Sequence, residues 1–405
     1  MSRIAVLGGC GVVGGIAVET LVTSGVFSEI AIADAKIDQA RKMAAKWGLP
    51  KSAAVELDAE DAGSLERAVT GSSVVLNCVG PFYRHAAFIM KAVIKAGIDY
   101  VDVCDDMDAT EALLALDGEA RKAGIRALIG MGSSPGVANL LIRFCAESLL
   151  DRVDSVDIYH AHGGEKAEGP AVVKHRIHSM EMDIPMFLHG KMTTVRLFEK
   201  SGKALEEEVD FRDVGRYRCY AYPHPETITL PRYLKGVRRV TNLGLVLPPS
   251  YAELIKDMVR VGATSETPLQ VQGRKTIPLE FAVAFILSRR KALMDEAGLD
   301  QPQGCLKIVV KGRKNGEANS YVFSMSSRGQ GMGEGTGIPA ALGAILMERG
   351  KIKERGINPP EGCLKPMDFV ELAKSSVKLG KKRGLPIVVE HVDKSGQSKT
   401  MPLPI

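Results

Sequence analysis

Residues 3–34, RIAVLGGCGVVGGIAVETLVTSGVFSEIAIAD, decide the fold of this chain. An apolar run, a glycine cluster, an amphipathic stretch and a second apolar run follow one another, and the segment closes on an acid. Gly9, Gly11 and Gly14 fit the spacing G-x-G-x-x-G. In that motif the first glycine permits a tight turn, the second lets a pyrophosphate approach the backbone, and the third lets helix and strand pack closely. The segment therefore predicts a βαβ unit that binds a dinucleotide at the N-terminus of its helix.

Asp34 bears on which dinucleotide this is. It lies twenty residues beyond Gly14, at the end of the second predicted strand, where a carboxylate accepts both ribose hydroxyls. Because a carboxylate repels a 2'-phosphate, we expect NAD, while the nearby Lys36 leaves NADP open. Gly8 extends the cluster to a looser glycine pattern. The alternative is a unit whose glycines only form a turn, and Asp34 argues against it, because its side chain would otherwise have little to do.

The composition excludes several classes of protein. With 405 residues, 45% of them apolar and 25% charged, the chain is long enough for two domains with real cores. A net charge of +5, spread along the chain, does not indicate a nucleic-acid partner. No uncharged apolar run approaches the length of a membrane span. Seven scattered cysteines without C-x-x-C spacing and a chain that opens on a core strand predict free thiols and a cytoplasmic location.

Strands and helices alternate over the first 135 residues. Strands are predicted at 3–7, 29–34, 53–57, 73–79, 99–103 and 125–130. Helices are predicted at 12–24, 37–47, 64–70, 85–96, 108–123 and 136–150, the fifth opening on a capping box from Asp108 to Glu111. The strands are nearly continuous apolar runs, as in a parallel sheet covered on both faces. We therefore expect an α/β fold with a Rossmann-type doubly wound parallel sheet.

The pattern changes after residue 150. Apolar and polar residues alternate near 155–162, and similar runs follow near 193–198, 216–222, 306–311 and 319–325. Helices are expected near 250–262 and 278–297. This pattern predicts a second α+β domain with a mainly antiparallel sheet. The expected division is a dinucleotide-binding domain at 1–135, a substrate-binding and dimerisation domain at 136–337, and a helical segment at 338–405 that returns to the first domain.

Ligands of open α/β sheets lie beyond the carboxyl ends of the strands. Three predicted loops meet there, with the sequences NCVGPFYRH at 77–85, DVCDD at 102–106 and GMGSSPG at 130–136. The expected cofactor-binding residues combine the glycine turn, the acids after the second and third strands and the loop after the fourth: Gly8, Gly9, Gly11, Val12, Val13, Gly14, Asp34, Asp58, Asn77, Val79, Gly80 and Pro81. For Asp58 a solvated loop acid is the alternative, and for Gly80 and Pro81 a simple turn.

Several segments together resemble the saccharopine dehydrogenase-like family, which includes saccharopine reductases, lysine 6-dehydrogenase and carboxynorspermidine dehydrogenase. They are GGCGVVGG, NCVGPFYRHA, AGIDYVDVCDD, EARKAGIRALIGMGSSPGVANLL and GTGIPAALGAILMERGKI. The resemblance implies NAD or NADP as cofactor, lysine or polyamine metabolism, and oxidation of a C–N bond or reduction of the matching imine. Ser134 departs from the family, because several relatives carry aspartate before the Pro-Gly pair.

Asp105, Asp106 and Tyr83 are the catalytic candidates. Hydride transfer to an imine needs a protonated nitrogen, which a nearby carboxylate stabilises and an acid–base group serves. Two adjacent carboxylates repel each other, which raises the pKa of one of them. The alternative for the aspartates is a helix cap, and the alternative for Tyr83 is packing beside Pro81.

Candidates for substrate binding come from basic side chains: Arg84, His178, His224 and Arg232. Arginine forks suit a substrate carboxylate, and a histidine suits proton transfer. Arg176 also lies in a plausible pocket segment, and surface placement is the alternative for every arginine. Six of the eight histidines fall between 160 and 224, but no acid or cysteine lies at ligand spacing nearby, so we expect no metal.

The sequence thus favours an NAD(P)-dependent oxidoreductase that acts on an amino-acid-like small molecule or a polyamine adduct. Two alternatives remain open, a dinucleotide-binding redox sensor without catalysis and an oxidoreductase acting on an enoyl or carbonyl centre. By analogy with such enzymes we expect a homodimer. We expect neither a nucleic-acid partner nor a membrane partner.

Overall fold

A computed structural model of the chain describes residues 2–165, 168–329, 331–379, 382–384 and 386–402. It shows a parallel sheet built mostly from the first third of the chain and a larger mixed sheet built from the remainder. No helix in these ranges is long and apolar enough to cross a membrane.

The first sheet has seven parallel strands in the order β17-β6-β5-β4-β1-β2-β3. Six come from the N-terminal region and the seventh from near the end of the chain: β1 Arg3–Leu7, β2 Glu29–Asp34, β3 Ala54–Glu56, β4 Val74–Asn77, β5 Asp99–Asp102, β6 Arg126–Leu128 and β17 Gly356–Asn358. The central strands are buried because helices cover both faces, which confirms the expected doubly wound sheet. The three residues of β17 are too short a run to show a strand pattern in the sequence.

Seven helices accompany these strands: α1 Val12–Ser24, α2 Ile37–Lys46, α3 Ala62–Val69, α4 Phe82–Ala96, α5 Met107–Ala115, α6 Asp117–Ala123 and α7 Val137–Phe144. A short 3-10 turn spans Lys51–Ala53, and a π-helical turn, Cys145–Leu149, follows α7. The single helix predicted at 108–123 is interrupted at Leu116. The predicted capping box is wrong, because α5 begins at Met107 and Asp108 bonds the next backbone N–H and a histidine instead.

The second sheet has ten strands: β7 Arg152–Gly163, β8 Ile184–Leu188, β9 Lys191–Val195, β10 Glu207–Phe211, β11 Gly215–Ala221, β12 Arg239–Leu247, β15 Gln303–Lys314, β16 Glu317–Arg328, β20 Ile387–Val392 and β21 Ser398–Met401. Eight of them follow the order β10-β11-β12-β7-β15-β16-β20-β21, and β8 joins β12 to β9. Every described pairing is antiparallel except that of β12 with β7. Two small hairpins complete the described strands: β13 Leu269–Val271 with β14 Arg274–Thr276, and β18 Lys378–Leu379 with β19 Lys382–Arg383.

The remaining helices pack around the second sheet or return to the first: α8 Pro170–Glu181, α9 Lys200–Lys203, α10 Glu226–Tyr233, α11 Pro249–Arg260, α12 Pro278–Glu296, α13 Met332–Glu348, α14 Pro360–Cys363 and α15 Pro366–Ser376. α13 lies directly against α1. A Cβ at Gly337 would come within 2.6 Å of the carbonyl oxygen of Val13, so only glycine permits this close approach.

The end of the chain differs from the predicted helical return. α13 does contact β4 and β5 of the first sheet, but β20 and β21 extend the second sheet instead. The sequence of β20, IVVEHV, is rich in β-branched residues, which favour a strand over a helix.

Candidate active site

The turn between β1 and α1 has the geometry of a phosphate-binding loop. Gly8 has a φ of +73°, a conformation that favours glycine, and its N–H and that of Gly9 donate to the carbonyl of Ala33. A Cβ at Gly14 would lie 2.2 Å from the oxygen of Gly8, so this glycine lets α1 approach the turn. The first turn of α1, with Val12 and Val13, therefore presents its free N–H groups at the carboxyl edge of the sheet.

Asp34 stands at the end of β2, beside that turn. Its Oδ2 accepts the N–H of Cys10 at 2.9 Å, and its Oδ1 accepts the N–H of Lys36 at 3.0 Å. Burial and the adjacent carboxylate raise the pKa of the Cys10 thiol to about 11, so the thiol is neutral. Asp58 is exposed in the loop after β3, where its carboxylate accepts the N–H of Glu60.

The side chain of Asn77 holds the loop after β4 in its conformation. This side chain is fully buried, donates to the hydroxyl of Tyr100 at 2.9 Å and accepts the N–H of Val79 at 3.0 Å. Gly80 is exposed and Pro81 half-buried at the start of α4. The side chain of Asn77 therefore supports the loop from inside the protein. The loop itself, and not this side chain, is exposed at the carboxyl edge of the sheet.

A buried acid joins the loops after β5 and β6. The Oδ1 of Asp102 accepts the N–H of Cys104 at 3.0 Å and that of Gly130 at 2.7 Å. Burial raises the pKa of Asp102 to about 6. The carboxylate of Asp102 therefore links the loop after β5 to the loop after β6, directly before the polar residues Asp105 and Asp106.

Asp105 and Asp106 flank one histidine from the second domain. Nδ1 of His175, on α8, lies 2.7 Å from Oδ1 of Asp106, and Nε2 lies 3.7 Å from Oδ2 of Asp105. Although burial disfavours the imidazolium, the two carboxylates raise the pKa of His175 well above its ordinary value. Burial alone would raise the pKa of both carboxyl groups. His175 overcomes this effect at Asp106 and lowers its pKa, whereas at Asp105 burial prevails and the pKa is raised.

Tyr83 contacts both Asp106 and a second histidine of α8. Its backbone N–H donates to Oδ2 of Asp106, and its ring stacks on His178 with centroids 4.2 Å apart. His178 in turn lies 2.9 Å from Oδ2 of Asp108, and this hydrogen bond raises the pKa of His178. Burial raises the pKa of Tyr83, so its phenol stays protonated near neutrality.

A cavity of about 200 Å³ opens between the two sheets and the start of α13. Its polar lining includes Asp105, Ser133, Ser134, His160, His162, His175, Arg176, Tyr222, His224, Glu334 and Thr336. Asp105, Asp106, His175 and His224 are therefore brought together. The remaining predicted substrate residues lie elsewhere: His178 bonds Asp108, Arg84 pairs at the surface with Glu266 at 2.8 Å, and Arg232 is exposed on α10.

Arg176 supplies a buried positive charge to this cavity. Its guanidinium pairs with Glu168 at 2.5 Å, and the same carboxylate lies 3.2 Å from Nε of Arg290. Tyr251 also donates to Glu168 at 2.6 Å. Two arginines thus share the carboxylate of Glu168, while Glu165 also lines the cavity and acts electrostatically on Arg176.

Sequence reasoning missed His175 as a site residue, although it counted this histidine in the cluster between 160 and 224. α8 was not among the predicted helices, yet Val173, Ile177 and Met180 have helical spacing and are buried. His175 and His178 are three apart on the same helix, which is the signal that could have found them.

Asp105, Asp106 and His175 also have the donor types of a small metal centre, with ligand atoms within 4.8 Å of one another. The 2.7 Å between Nδ1 of His175 and Oδ1 of Asp106 is a charge-assisted hydrogen-bond distance. The chemistry of the group is therefore that of a shared proton, and the absence of a metal stays a prediction.

Comparison with known proteins agrees with this geometry. The model of the saccharopine dehydrogenase NADP-binding domain matches residues 4–128. A carboxyaminopropylagmatine dehydrogenase of Synechocystis is 23% identical, over 88% of this chain and 92% of its own. A carboxynorspermidine synthase of Vibrio cholerae is 24% identical, over 80% of this chain and 81% of its own.

Among solved structures, the apo saccharopine dehydrogenase of Saccharomyces cerevisiae that forms L-glutamate has the same fold. The TM-score is 0.67 at 15% identity, over 99% of this chain and all of that one. The fold, the glycine turn and the family model agree that residues 4–128 form an NAD(P)-binding domain of the saccharopine dehydrogenase type, and over most of its length the chain is similar to NAD(P)-dependent oxidoreductases of that group.

Proposed function

We propose that the protein oxidises the C–N bond of a carboxylated secondary amine, or reduces the corresponding imine, with Asp105 facing the reacting nitrogen. The observation that carries the proposal is the position of Asp105 at the carboxyl edge of the first sheet, in the cavity wall and 3.7 Å from His175. NAD(P) supplies or accepts the hydride when bound at the glycine turn. The relatives are named for carboxylated polyamine adducts, which are amines of this kind.

The three residues of the cluster take different parts. The low pKa of Asp106, set by His175 against the effect of burial, keeps its carboxylate ionised, and the pair fixes the orientation of the imidazolium. Burial raises the pKa of Asp105, which suits a group that exchanges a proton with the substrate nitrogen. When that nitrogen carries a positive charge, ionised Asp105 stabilises the cation at short range.

Tyr83 supports this arrangement from α4. Its backbone N–H donates to the second oxygen of Asp106, and its ring stacks on His178. We therefore give Tyr83 a positioning role, with Asp105 as the catalytic residue.

Arg176 is the proposed anchor for the substrate carboxylate. Its guanidinium is almost fully buried, lines the cavity and shares Glu168 with Arg290. A planar guanidinium binds carboxylates through paired hydrogen bonds, so it fixes the orientation of the substrate as well as its charge.

For the cofactor we infer a preference for NAD, although the family model is named for NADP. The carboxylate of Asp34 lies against the glycine turn, where it repels a 2'-phosphate. The proposed contacts with the rest of the cofactor are the first turn of α1 and the loop of Val79 to Pro81, while exposed Asp58 remains a proposed contact of the adenine.

The proposal is tested by mixing the protein with NAD or NADP and, separately, saccharopine, lysine, carboxynorspermidine and carboxyaminopropylagmatine. Formation of reduced cofactor is followed at its absorbance. Asp105→Asn should lower kcat at least about 100-fold, since general acid–base groups contribute about that much. Asp257→Asn, which removes an exposed ion pair with Arg260 on α11, is the control and should retain wild-type rates.

The proposal would be contradicted if none of these amines led to reduced cofactor while a carbonyl or enoyl compound was turned over. Cofactor binding without any turnover would favour a sensor. The homodimer also remains a proposal, and light scattering at the mass of the 43.5 kDa monomer would contradict it.

A further inference from the structure

We propose that His224 is a second acid–base group of the cavity, held in place by Glu226, and that it serves the loss or addition of water at the C=N carbon. This inference rests on the proposed function, because an enzyme that joins an amine to a carbonyl compound has two distinct tasks. One is hydride transfer, and the other is removal of the carbinolamine hydroxyl.

His224 and Glu226 form a buried pair behind the cavity wall. His224 lies in the loop between β11 and α10, and its Nδ1 is 3.3 Å from Oε2 of Glu226. Glu226 is fully buried, and its other oxygen accepts the hydroxyl of Ser134. Because Nδ1 faces Glu226, the opposite ring nitrogen, Nε2, is the one left for a ligand in the cavity that His224 lines.

Glu226 and His224 are paired inside the protein. A buried carboxylate such as Glu226 requires a partner, and the ion pair that the described residues give it is His224. Burial and the nearby His224 lower the pKa of His160 far below its ordinary value, so that ring, 5.3 Å away, is neutral. Two further acids lie in this region: Asp105 interacts electrostatically with His224, and burial raises the pKa of Glu361 to about 7.

The arrangement differs from a nucleophilic triad. The hydroxyl of Ser134 donates to Glu226 and not to the imidazole, so no base is placed to activate it. Nδ1 of His224 and Oε2 of Glu226 are both buried and face each other at 3.3 Å without a hydrogen-bond partner among the described residues, so we assign Glu226 as the positioning residue that orients His224 through this ion pair.

Asp105 lines the same cavity as the two proton carriers, His175 and His224. His175 and His224 both act electrostatically on its carboxylate, although they come from α8 and from the loop before α10. A substrate nitrogen at Asp105 therefore shares the cavity with both His175 and His224. The presence of two such groups lets one manage the proton on nitrogen while the other serves the departing oxygen.

The proposed step conserves atoms and electrons without any redox change. In the carbinolamine the C–O bond breaks and its electron pair leaves with the oxygen, which takes the proton from Nε2 of His224 and departs as water. The nitrogen lone pair forms the C=N bond, which gives an iminium ion beside Asp105, and neutral His224 regains a proton from solvent. In the oxidative direction the same steps run backwards.

Rapid mixing with carboxynorspermidine, saccharopine and carboxyaminopropylagmatine, each with NAD or NADP, separates the two tasks. In Glu226→Gln and His224→Ala the rate at which reduced cofactor forms during the first turnover should stay within about 3-fold of the wild-type rate. The following steady state should fall about 100-fold, the typical contribution of one acid–base group. Imidazole in the buffer should restore the steady state of His224→Ala. Glu253→Gln, an exposed residue of α11, is the control.

A first turnover that slows as much as the steady state would overturn the inference, as would unchanged rates in both phases. Equal cofactor affinity and thermal midpoint exclude misfolding as the cause of a loss. If wild type binds cofactor but oxidises none of the amines, the proposed function fails and the inference fails with it, a result seen without any variant.

Discussion

Nδ1 of His175 lies 2.7 Å from Oδ1 of Asp106, although the two residues are 69 positions apart. The bond joins α8 of the second domain to the loop after β5 of the first. It therefore ties an element beside the second sheet to the carboxyl edge of the first sheet, and it shifts the pKa values of both groups in opposite directions. The proposed acid–base role of Asp105 therefore depends on a contact between the two sheets' elements.

The contact predicts a pH-dependent contribution to stability. Because the folded pKa of His175 is raised, its contribution is complete below about pH 6.5 and is lost as pH rises through the folded value. The lowered pKa of Asp106 makes its contribution complete above about pH 4 and lost on further acidification. The pair therefore stabilises fully between about pH 4 and 6.5.

His175→Gln should lower the free energy of unfolding by about 3 kcal/mol at about pH 5.5, the scale expected when a buried pair is broken. The deficit should shrink by about pH 10. Urea unfolding across this range measures it, with His189→Gln in the exposed turn after β8 as control. A deficit that is constant or grows with pH would show that the pair does not carry the charge assigned here.

Alanine substitutions at two adjacent glycines of α1 distinguish an effect on the nucleotide-binding turn from an effect on helix propensity. In Gly14→Ala the new methyl group meets the oxygen of Gly8 at 2.2 Å, so the turn must shift, at a cost of about 1–3 kcal/mol in stability. In Gly15→Ala the new methyl group meets the flexible end of Met43 at 3.4 Å and the oxygen of Gly9 at 3.9 Å, which are ordinary contacts. Fluorescence titration with NADH should show at least about a 10-fold loss of affinity for Gly14→Ala alone; equal losses would place the dinucleotide elsewhere.

Removing the charge of Asp34 should change cofactor choice. Asp34→Asn keeps the shape of the side chain but loses the repulsion of a 2'-phosphate, so the ratio of NADPH to NADH affinity should rise about 10-fold or more. Asp38→Asn, on the exposed surface of α2, removes a charge of the same sign and should leave the ratio unchanged. A ratio unaffected by Asp34→Asn would separate this carboxylate from the ribose.

Gly244 tests the packing of the cavity wall. A Cβ there would lie 2.3 Å from Nε2 of His160, so Gly244→Ala should displace that ring and lower both stability and substrate affinity. We expect a loss of about 1–3 kcal/mol in urea unfolding. Gly118→Ala in α6, where the new methyl meets nothing within 4 Å, is the matched control and should be neutral or stabilising. Unchanged KM in a folded Gly244→Ala protein would remove His160 from the cavity wall.

The first domain was predictable because its signals are local. β1 and β2 are apolar runs that end on a glycine turn and on an acid, and their bounds agree with the sequence prediction. Asp105 and Asp106 could be placed at the edge of the sheet for the same reason, since parallel strands bring their carboxyl ends together.

The histidine side of the cavity could not be obtained in this way. Whether His175 meets Asp106 depends on how α8 and the second sheet pack against the first domain, which no short sequence pattern specifies. Likewise, Ser134 reads in the sequence as the loss of an acid, and only the packing of α10 shows that Glu226 lies behind it.

The most direct test of the central claim is the path of the hydride. An amine oxidised by the protein, labelled with deuterium on the carbon that bears the nitrogen, is incubated with NAD or NADP, and the reduced cofactor is analysed by mass spectrometry. The label should appear on the nicotinamide in wild type, and its transfer should be at least about 100-fold slower in Asp105→Asn. Reduced cofactor without label, or equal transfer in both proteins, would contradict the account.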